Sequence, residues 1–357
     1  MKKRIALLVL VVIFAFFAFA GCAQSSDSPD ASAAENSSAE STEGGDDNIK
    51  IGYACMSMAN TYHATAAEYF ERECQERGID YMILDDEQDG TKAVENCQLI
   101  CDSGCDAYVS VMGYMVGDTL AEICEEAGVM AIGMDQPIPG FPFFGANNVE
   151  AGNYVGEALA DAAIEKWGED VEIDLYISLE SLAGAQINQE RMQDGLLGGL
   201  RSKLDIPDDI YVQCDVNNND AQIAMRWVED TINANPEAEH ILIGGFVDDF
   251  GQGAEAVVEK LGYQDKVLIG TVDGSILAIN NFQNPDTAWV CSVAMTPEMY
   301  GYYLLEELEP YLRGEQDSLP DAWYVKHAPI TIDNYKEVLE ELVIYDDYEV
   351  VASTETE

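Results

Sequence analysis

From residue 49 onward the chain alternates between two hydropathy periods, and that alternation restricts the fold more than any other feature. Short runs rich in β-branched and aromatic residues, IKIGYAC (49–55), IDYMIL (79–84), DAYVSVM (106–112) and VMAIGM (129–134), are separated by helical patterns over about 61–77, 91–103 and 117–127. Gly78, Gly104 and Gly128 stand at the ends of these helices, where a residue free to take left-handed φ closes the last turn. Parallel strands need a crossover connection, so the alternation predicts a parallel sheet with helices on both faces.

The rhythm then restarts. A helix over about 150–167 leads to EIDLYIS (172–178), and IYVQC (210–214), HILIGG (240–245) and KVLIGTV (266–272) follow, separated by helices over about 186–203, 220–234 and 250–262. AWVCSVA (288–294), a helix over about 297–313 and WYVKHAPITI (323–332) return the chain. The predicted fold class is α/β, with two doubly wound, Rossmann-like parallel-sheet lobes joined by a three-segment hinge. The N-terminal lobe takes 49–147 plus 295–325, the C-terminal lobe 148–294 plus 326–345, and 346–357 forms a tail. Crossings are expected near Asn147, Ala294 and Val325.

The N-terminus speaks to compartment. Lys2, Lys3 and Arg4 precede an apolar run of 16 residues, Ile5 to Ala20. That is shorter than the about 20 residues a membrane span needs and suits the apolar core of a signal peptide. Phe19-Ala20-Gly21-Cys22 resembles a lipobox, with Phe19 in place of the usual aliphatic residue. A signal peptide over 1–21 and lipidation of Cys22 are therefore expected. Residues 23–48 carry no aromatic and no basic side chain, a composition that predicts a disordered tether. The expected location is extracytoplasmic, with the lipid holding the body at the bacterial cell membrane.

The formal charge of −50 excludes nucleic acid as a partner and disfavours anionic lipid surfaces, but names no ligand. Eight cysteines remain besides Cys22. Cys97, Cys101 and Cys105 sit four apart and read as small apolar residues on a helix face. With three histidines, all far apart, no metal site and no cofactor are expected. A disulfide among the eight suits an extracytoplasmic chain, but its connectivity is unreadable. The sequence is read as a monomer.

In open parallel sheets, ligands sit beyond the carboxyl ends of the strands. The polar residues there are Asn60, Tyr62 and His63 after the first strand, and Asp135 and Gln136 after the fourth. In the second half they are Gln186, Asn188 and Arg191, then Asp248 and Asp249, then Asp273. Carboxylates accept from two hydroxyls at once, arginine donates in a planar fork and asparagine does both, which fits a polyhydroxylated solute.

Read in order, these segments resemble periplasmic binding proteins of the ribose/galactose type, the solute receptors of ATP-driven importers. IGYACMSMANTYH stands where that family has its first strand, an Asn and two aromatic residues. AIGMDQP resembles the strand whose Asp meets sugar hydroxyls, FFGANNVEAGNYVGEAL the crossover into the second lobe, and INQERMQDGL the Arg-bearing helix start. ILIGGFVDDFGQGAEAV and VLIGTVDGS resemble the later ligand loops. The resemblance implies that lobe closure traps a monosaccharide or sugar-like polyol and delivers it to an ABC transporter permease. It implies ligand contact by Asn60, Asp135, Arg191 and Asp273. Met56, Val247 and Met295 stand where sugar binders carry polar groups, and Gln136 replaces a frequent Arg, so the site reads as less polar, with Gln186, Asn219 or Tyr114 as substitutes. Alternative readings are a sensor that presents its ligand to a signalling partner, or a binder of a less polar solute such as a nucleoside.

An enzyme is not expected, because the chain shows no nucleophile elbow, phosphate loop or metal-binding helix motif. DVNNND (215–220) opens like a calcium loop, but it lacks Gly at its sixth position and has Arg226 at its twelfth. It reads instead as a helix cap.

Overall fold

The computed structural model describes residues 48–216 and 220–350. Cys22, the signal segment, nearly all of the tether and Asn219 lie outside the described residues.

Two six-stranded sheets carry the architecture. The first is built from β1 (Lys50–Cys55), β2 (Asp80–Asp85), β3 (Ala107–Ser110), β4 (Met130–Met134), β5 (Phe143–Gly145) and, far along the chain, β11 (Ala322–Tyr324), in the order β11-β5-β4-β3-β1-β2. The second contains β6 (Leu175–Glu180), β7 (Tyr211–Asp215), β8 (Ile241–Gly245), β9 (Val267–Thr271), β10 (Trp289–Ala294) and β12 (Ala328–Thr331), in the order β12-β10-β9-β8-β6-β7. All pairings are parallel except β10 with β12. β3, β6, β8 and β9 are buried along their whole length, as expected of strands covered on both faces.

Local chemistry sets the helix ends. Asn60 caps α1 (Thr61–Arg77) by accepting from the His63 backbone N–H at 3.3 Å, and Gly78 closes it at φ +66°. The buried face of α1, Ala66, Ala67, Phe70 and Cys74, packs into the first sheet's core. The following helices are α2 (Gly90–Asp102), α3 (Gly113–Ala127) and α4 (Asn148–Trp167). Asp220 caps α7 (Ala221–Ala234) through the Gln222 N–H at 2.8 Å, the role expected for the end of DVNNND.

The chain passes between sheets after β5, after β10 and between β11 and β12. One expected feature is met and two differ from expectation for physical reasons. WYVKHAPITI divides at the crossing expected near Val325. Trp323 and Tyr324 pair with β5 while Ala328 to Thr331 pair with β10, and the intervening residues carry the crossing. β5, α9 (Ile276–Phe282) and α11 (Tyr335–Leu342) are not expected from the pattern, being only three to eight residues long. The C-terminal boundary also shifts. Tyr335 and Leu339 pack with the second sheet, but Val343 and Tyr345 join the core of the first, so 326–345 is not confined to one lobe.

The helical pattern over 186–203 is interrupted. Ala185–Asn188 and Gly198–Lys203 (α5 and α6) are α-helical, but Gln189–Leu197 between them is a π-helix. This segment crosses α4 at backbone contact. A Cβ on Gly152 would lie 2.0 Å from the Arg191 carbonyl oxygen, and one on Gly156 would lie 2.2 Å from that of Leu196. Gly195 and Gly199 face the Val149 and Asn153 carbonyls in the same way, at 2.7 and 2.5 Å. The glycines of GNYVG and DGLLGG let the π segment seat Arg191 against the start of α4.

Candidate functional site

Asp135 follows β4 and turns back at φ +56°, a conformation Asp tolerates better than most residues. Its Oδ1 accepts from the Ala146 N–H at 2.9 Å and from the Tyr300 hydroxyl at 2.9 Å. Tyr62 donates to Tyr300 in turn, at 2.6 Å, so a two-tyrosine relay ends on the carboxylate. Burial pushes the Asp135 carboxyl up, while the Ala146 N–H, Tyr300 and Arg191 hold it down. Sequence position marks Asp135 only as a ligand contact. Its Oδ1 is instead committed to the fold, which leaves Oδ2 for other partners.

Arg191 is 8% exposed, and its contacts fix its plane. Nε and Nη2 both donate to Asn148 Oδ1, at 3.1 and 2.8 Å, and Nη1 donates to the Phe246 carbonyl at 3.0 Å. The guanidinium carbon lies 4.4 Å from the centre of the Phe246 ring, a cation–π contact.

Asp273 follows β9 at φ +137°, which L side chains rarely adopt. Its Oδ2 accepts from the Asp248 N–H at 3.2 Å, at the start of α8 (Asp248–Leu261). Burial first, then the neighbouring Asp248 charge, push the Asp273 carboxyl well up, and Arg191 opposes them. Burial raises the Tyr62 hydroxyl well above its ordinary value, the Asp135 and Asp273 charges raise it further, and Tyr300 and Arg191 oppose them. Groups from both sheets therefore share one polar region beyond the strand ends, and Tyr62 packs against the apolar clusters of both.

The other predicted residues divide. Asp248 is corrected from ligand contact to support. It is fully buried, and its two oxygens accept from Thr271 Oγ1 (2.5 Å), Ser292 Oγ (2.8 Å), Ser275 N–H (2.7 Å) and Ser275 Oγ (2.8 Å). It holds the loop that presents Asp273. Asn188 is likewise turned inward, donating to Glu180 and accepting from the Ser181 N–H. Asn60 spends its side-chain oxygen on the α1 cap. His63 packs edge-on against Tyr62 at 5.4 Å, and burial lowers its ring to about 4. Gln136 lies half-buried beside Asp135, Asp249 is half-buried with its carboxyl pushed up by burial, and Gln186 is exposed and bonded to Glu190. Tyr114 is 48% exposed. Met295 and Val247 are buried in apolar clusters, so the missing polarity at those positions belongs to the core and not to the cleft wall.

The sequence reading missed Tyr300, Asn148, Phe246 and His327. Each lies one to six residues past a strand or at a helix start, the same positional signal used for the others. His327 Nε2 accepts the Asn147 N–H at 2.9 Å and so ties two crossing segments together. Burial, with Arg191 second, lowers its ring to about 4.

Residues 51–316 match the family model described as a periplasmic binding protein domain. The chain belongs to that family. It is 22% identical over 280 residues to the ribose import binding protein of Bacillus subtilis (strain 168), covering 77% of this chain and 86% of that one. Solved structures share the fold. A periplasmic solute-binding protein of an ABC transporter from Actinobacillus succinogenes 130z, with bound D-allose, matches with a TM-score of 0.67 at 18% identity, over 81% of this chain and 100% of that chain. One from Bacillus halodurans C-125 with bound myo-inositol matches with a TM-score of 0.66 at 14% identity, over 82% and 98%. These relatives are extracytoplasmic solute-binding proteins and not enzymes, and this chain is a binding protein with them.

Proposed function

We propose that this binding protein captures a monosaccharide or sugar-like polyol between its lobes and delivers it to an ABC importer permease. The observation that carries this is Tyr62, which reaches Asp135 through Tyr300 and also packs against the apolar cluster of the second sheet, the lobe that carries Arg191 and Asp273. Two acceptors and one planar donor suit vicinal hydroxyls. Tyr62 and Gln136, with Asn60 and His63 behind them, are the first-sheet residues proposed to complete the ligand contacts. A ligand touching both lobes favours their closed arrangement through its differential affinity, with the hinge at residues 145–148, 294–297 and 325–327. Lipidated Cys22 and the tether keep the monomeric body at the membrane surface. The known ligands of the relatives, ribose, D-allose and myo-inositol, set the chemical class to test.

The test is a thermal-shift panel of pentoses, hexoses, inositols, linear polyols, nucleosides and amino acids, followed by small-angle scattering with the best hit. At least one sugar or polyol should raise the melting temperature by mass action and reduce the radius of gyration. Stabilisation confined to nucleosides or amino acids, or an unchanged radius at saturation, would overturn the reading.

A further inference from the structure

Three thiols converge in the first lobe. Cys97 and Cys101 are four residues apart on α2 and therefore share one face of it. Cys124 comes from α3, which packs alongside. Cys105, spaced like the other two, falls beyond the end of α2, and Cys124 takes its place. The three sulfurs all lie within 4.8 Å of one another, and Cys97 Sγ is 3.7 Å from Cys124 Sγ. Sulfurs bound to one d10 ion at about 2.3 Å stand about 3.8–4.0 Å apart in tetrahedral or trigonal geometry.

The surroundings also fit a soft cation. Cys97 and Cys124 are fully buried in a cluster with Ala93, Ile100, Leu120 and Ala121, while Cys101 is half-exposed and leaves a route from solvent. The Tyr108 hydroxyl is sealed in the same cluster without a hydrogen-bond partner, so it is free to donate to a metal-bound thiolate. No carboxylate or imidazole joins the three sulfurs among the described residues, which favours thiophilic ions over hard ones. A disulfide between two of them would leave the third thiol placed to attack it.

We propose that Cys97, Cys101 and Cys124 form a site for a thiophilic d10 metal ion, with Zn²⁺ or Cu⁺ cross-linking α2 to α3. The full chain, reduced and kept under nitrogen, is equilibrated with Zn²⁺, dialysed and assayed for metal per chain. Co²⁺ then serves as a spectroscopic probe, and Cu⁺ competition separates the two ions. The expected result is one Zn²⁺ retained per chain and a sulfur-to-cobalt charge-transfer band. Both should disappear in Cys97→Ser and in the half-exposed Cys101→Ser, and both should persist in Cys105→Ser. Zn²⁺ should raise the melting temperature of the wild type and of Cys105→Ser only. Failure of the reduced wild type to retain metal would overturn the proposal, as would retention unaffected by Cys97→Ser. A Cys97–Cys124 disulfide trapped by alkylation of the native chain would also overturn it, by removing two ligands.

Discussion

Gly145 and Asp135 share one corner of the first sheet. A Cβ on Gly145 would lie 2.3 Å from Asp135 Oδ1 and 2.7 Å from its backbone nitrogen. The Asp135 carboxylate therefore occupies space that only a glycine at the end of β5 leaves open. Gly145 also sits at φ +149°, so a side chain there would be strained even without the clash.

This relationship gives a first prediction. Gly145→Ala should move Asp135 off the Ala146 N–H and the Tyr300 hydroxyl. The strain and the broken bonds should cost about 1–3 kcal/mol of stability each, and affinity for the sugar or polyol should fall at least tenfold. Urea unfolding and calorimetric titration check the two effects. Wild-type affinity in Gly145→Ala would mean that Asp135 does not touch the ligand.

A second prediction concerns Asp273. Asn at this position keeps an acceptor for the Asp248 N–H and nearly the shape of Asp, but it removes a buried charge beside Asp248. Asp273→Asn should therefore raise the melting temperature of the unliganded protein at pH 7. If Asp273 accepts ligand hydroxyls as a carboxylate, affinity should fall roughly ten- to hundredfold, since hydrogen bonds to charged groups contribute about 1.5–3 kcal/mol. A lowered melting temperature with intact affinity would make Asp273 a structural ion partner of Arg191 and not a binding residue.

The sequence made the sheets legible because their strands are apolar runs separated by full helical periods. It marked Asp135, Arg191 and Asp273 because strand ends are where parallel sheets expose polar groups. It did not distinguish residues that face the cleft from those that hold it. Asp248 and Asn188 are polar residues in the segments that follow strands, as Asp135 is, yet their partners, Thr271, Ser275 and Ser292 for one and Glu180 for the other, lie at least eight residues away along the chain. Nor could spacing place Cys124 beside Cys97, because that pairing depends on how α2 packs on α3. The glycine pairs of α4 and the π segment were visible as letters, but their use, bringing Arg191 to Asn148, follows only from the crossing.

The third prediction is a pH dependence with two opposed parts. Burial lowers His327 and His63 from the ordinary 6.5 to about 4. A folded value below the unfolded one gives stability that is complete above about 6.5 and is lost as pH falls through about 4. For His327 the geometry agrees, because its Nε2 accepts the Asn147 N–H, and a proton there would set two donors against each other. Burial raises Asp86, whose Oδ2 has no partner, from 3.8 to about 6, and raises Asp248 to about 6 as well. A folded value above the unfolded one gives stability that is complete below about 3.8 and lost as pH rises through about 6. Between pH 4 and 6.5 the two pairs offset each other. His327→Gln retains an acceptor for the Asn147 N–H, so relative to wild type it should gain stability as pH falls from 6.5 to 4, by up to about 3 kcal/mol. Asp86→Asn should show the opposite difference, gaining at pH 7 and losing that gain at pH 4. Urea unfolding of both variants beside wild type at pH 7, 5 and 4 measures these differences. A His327→Gln difference that does not change with pH would show that the histidine titrates normally and that its contact with Asn147 does not hold the ring neutral.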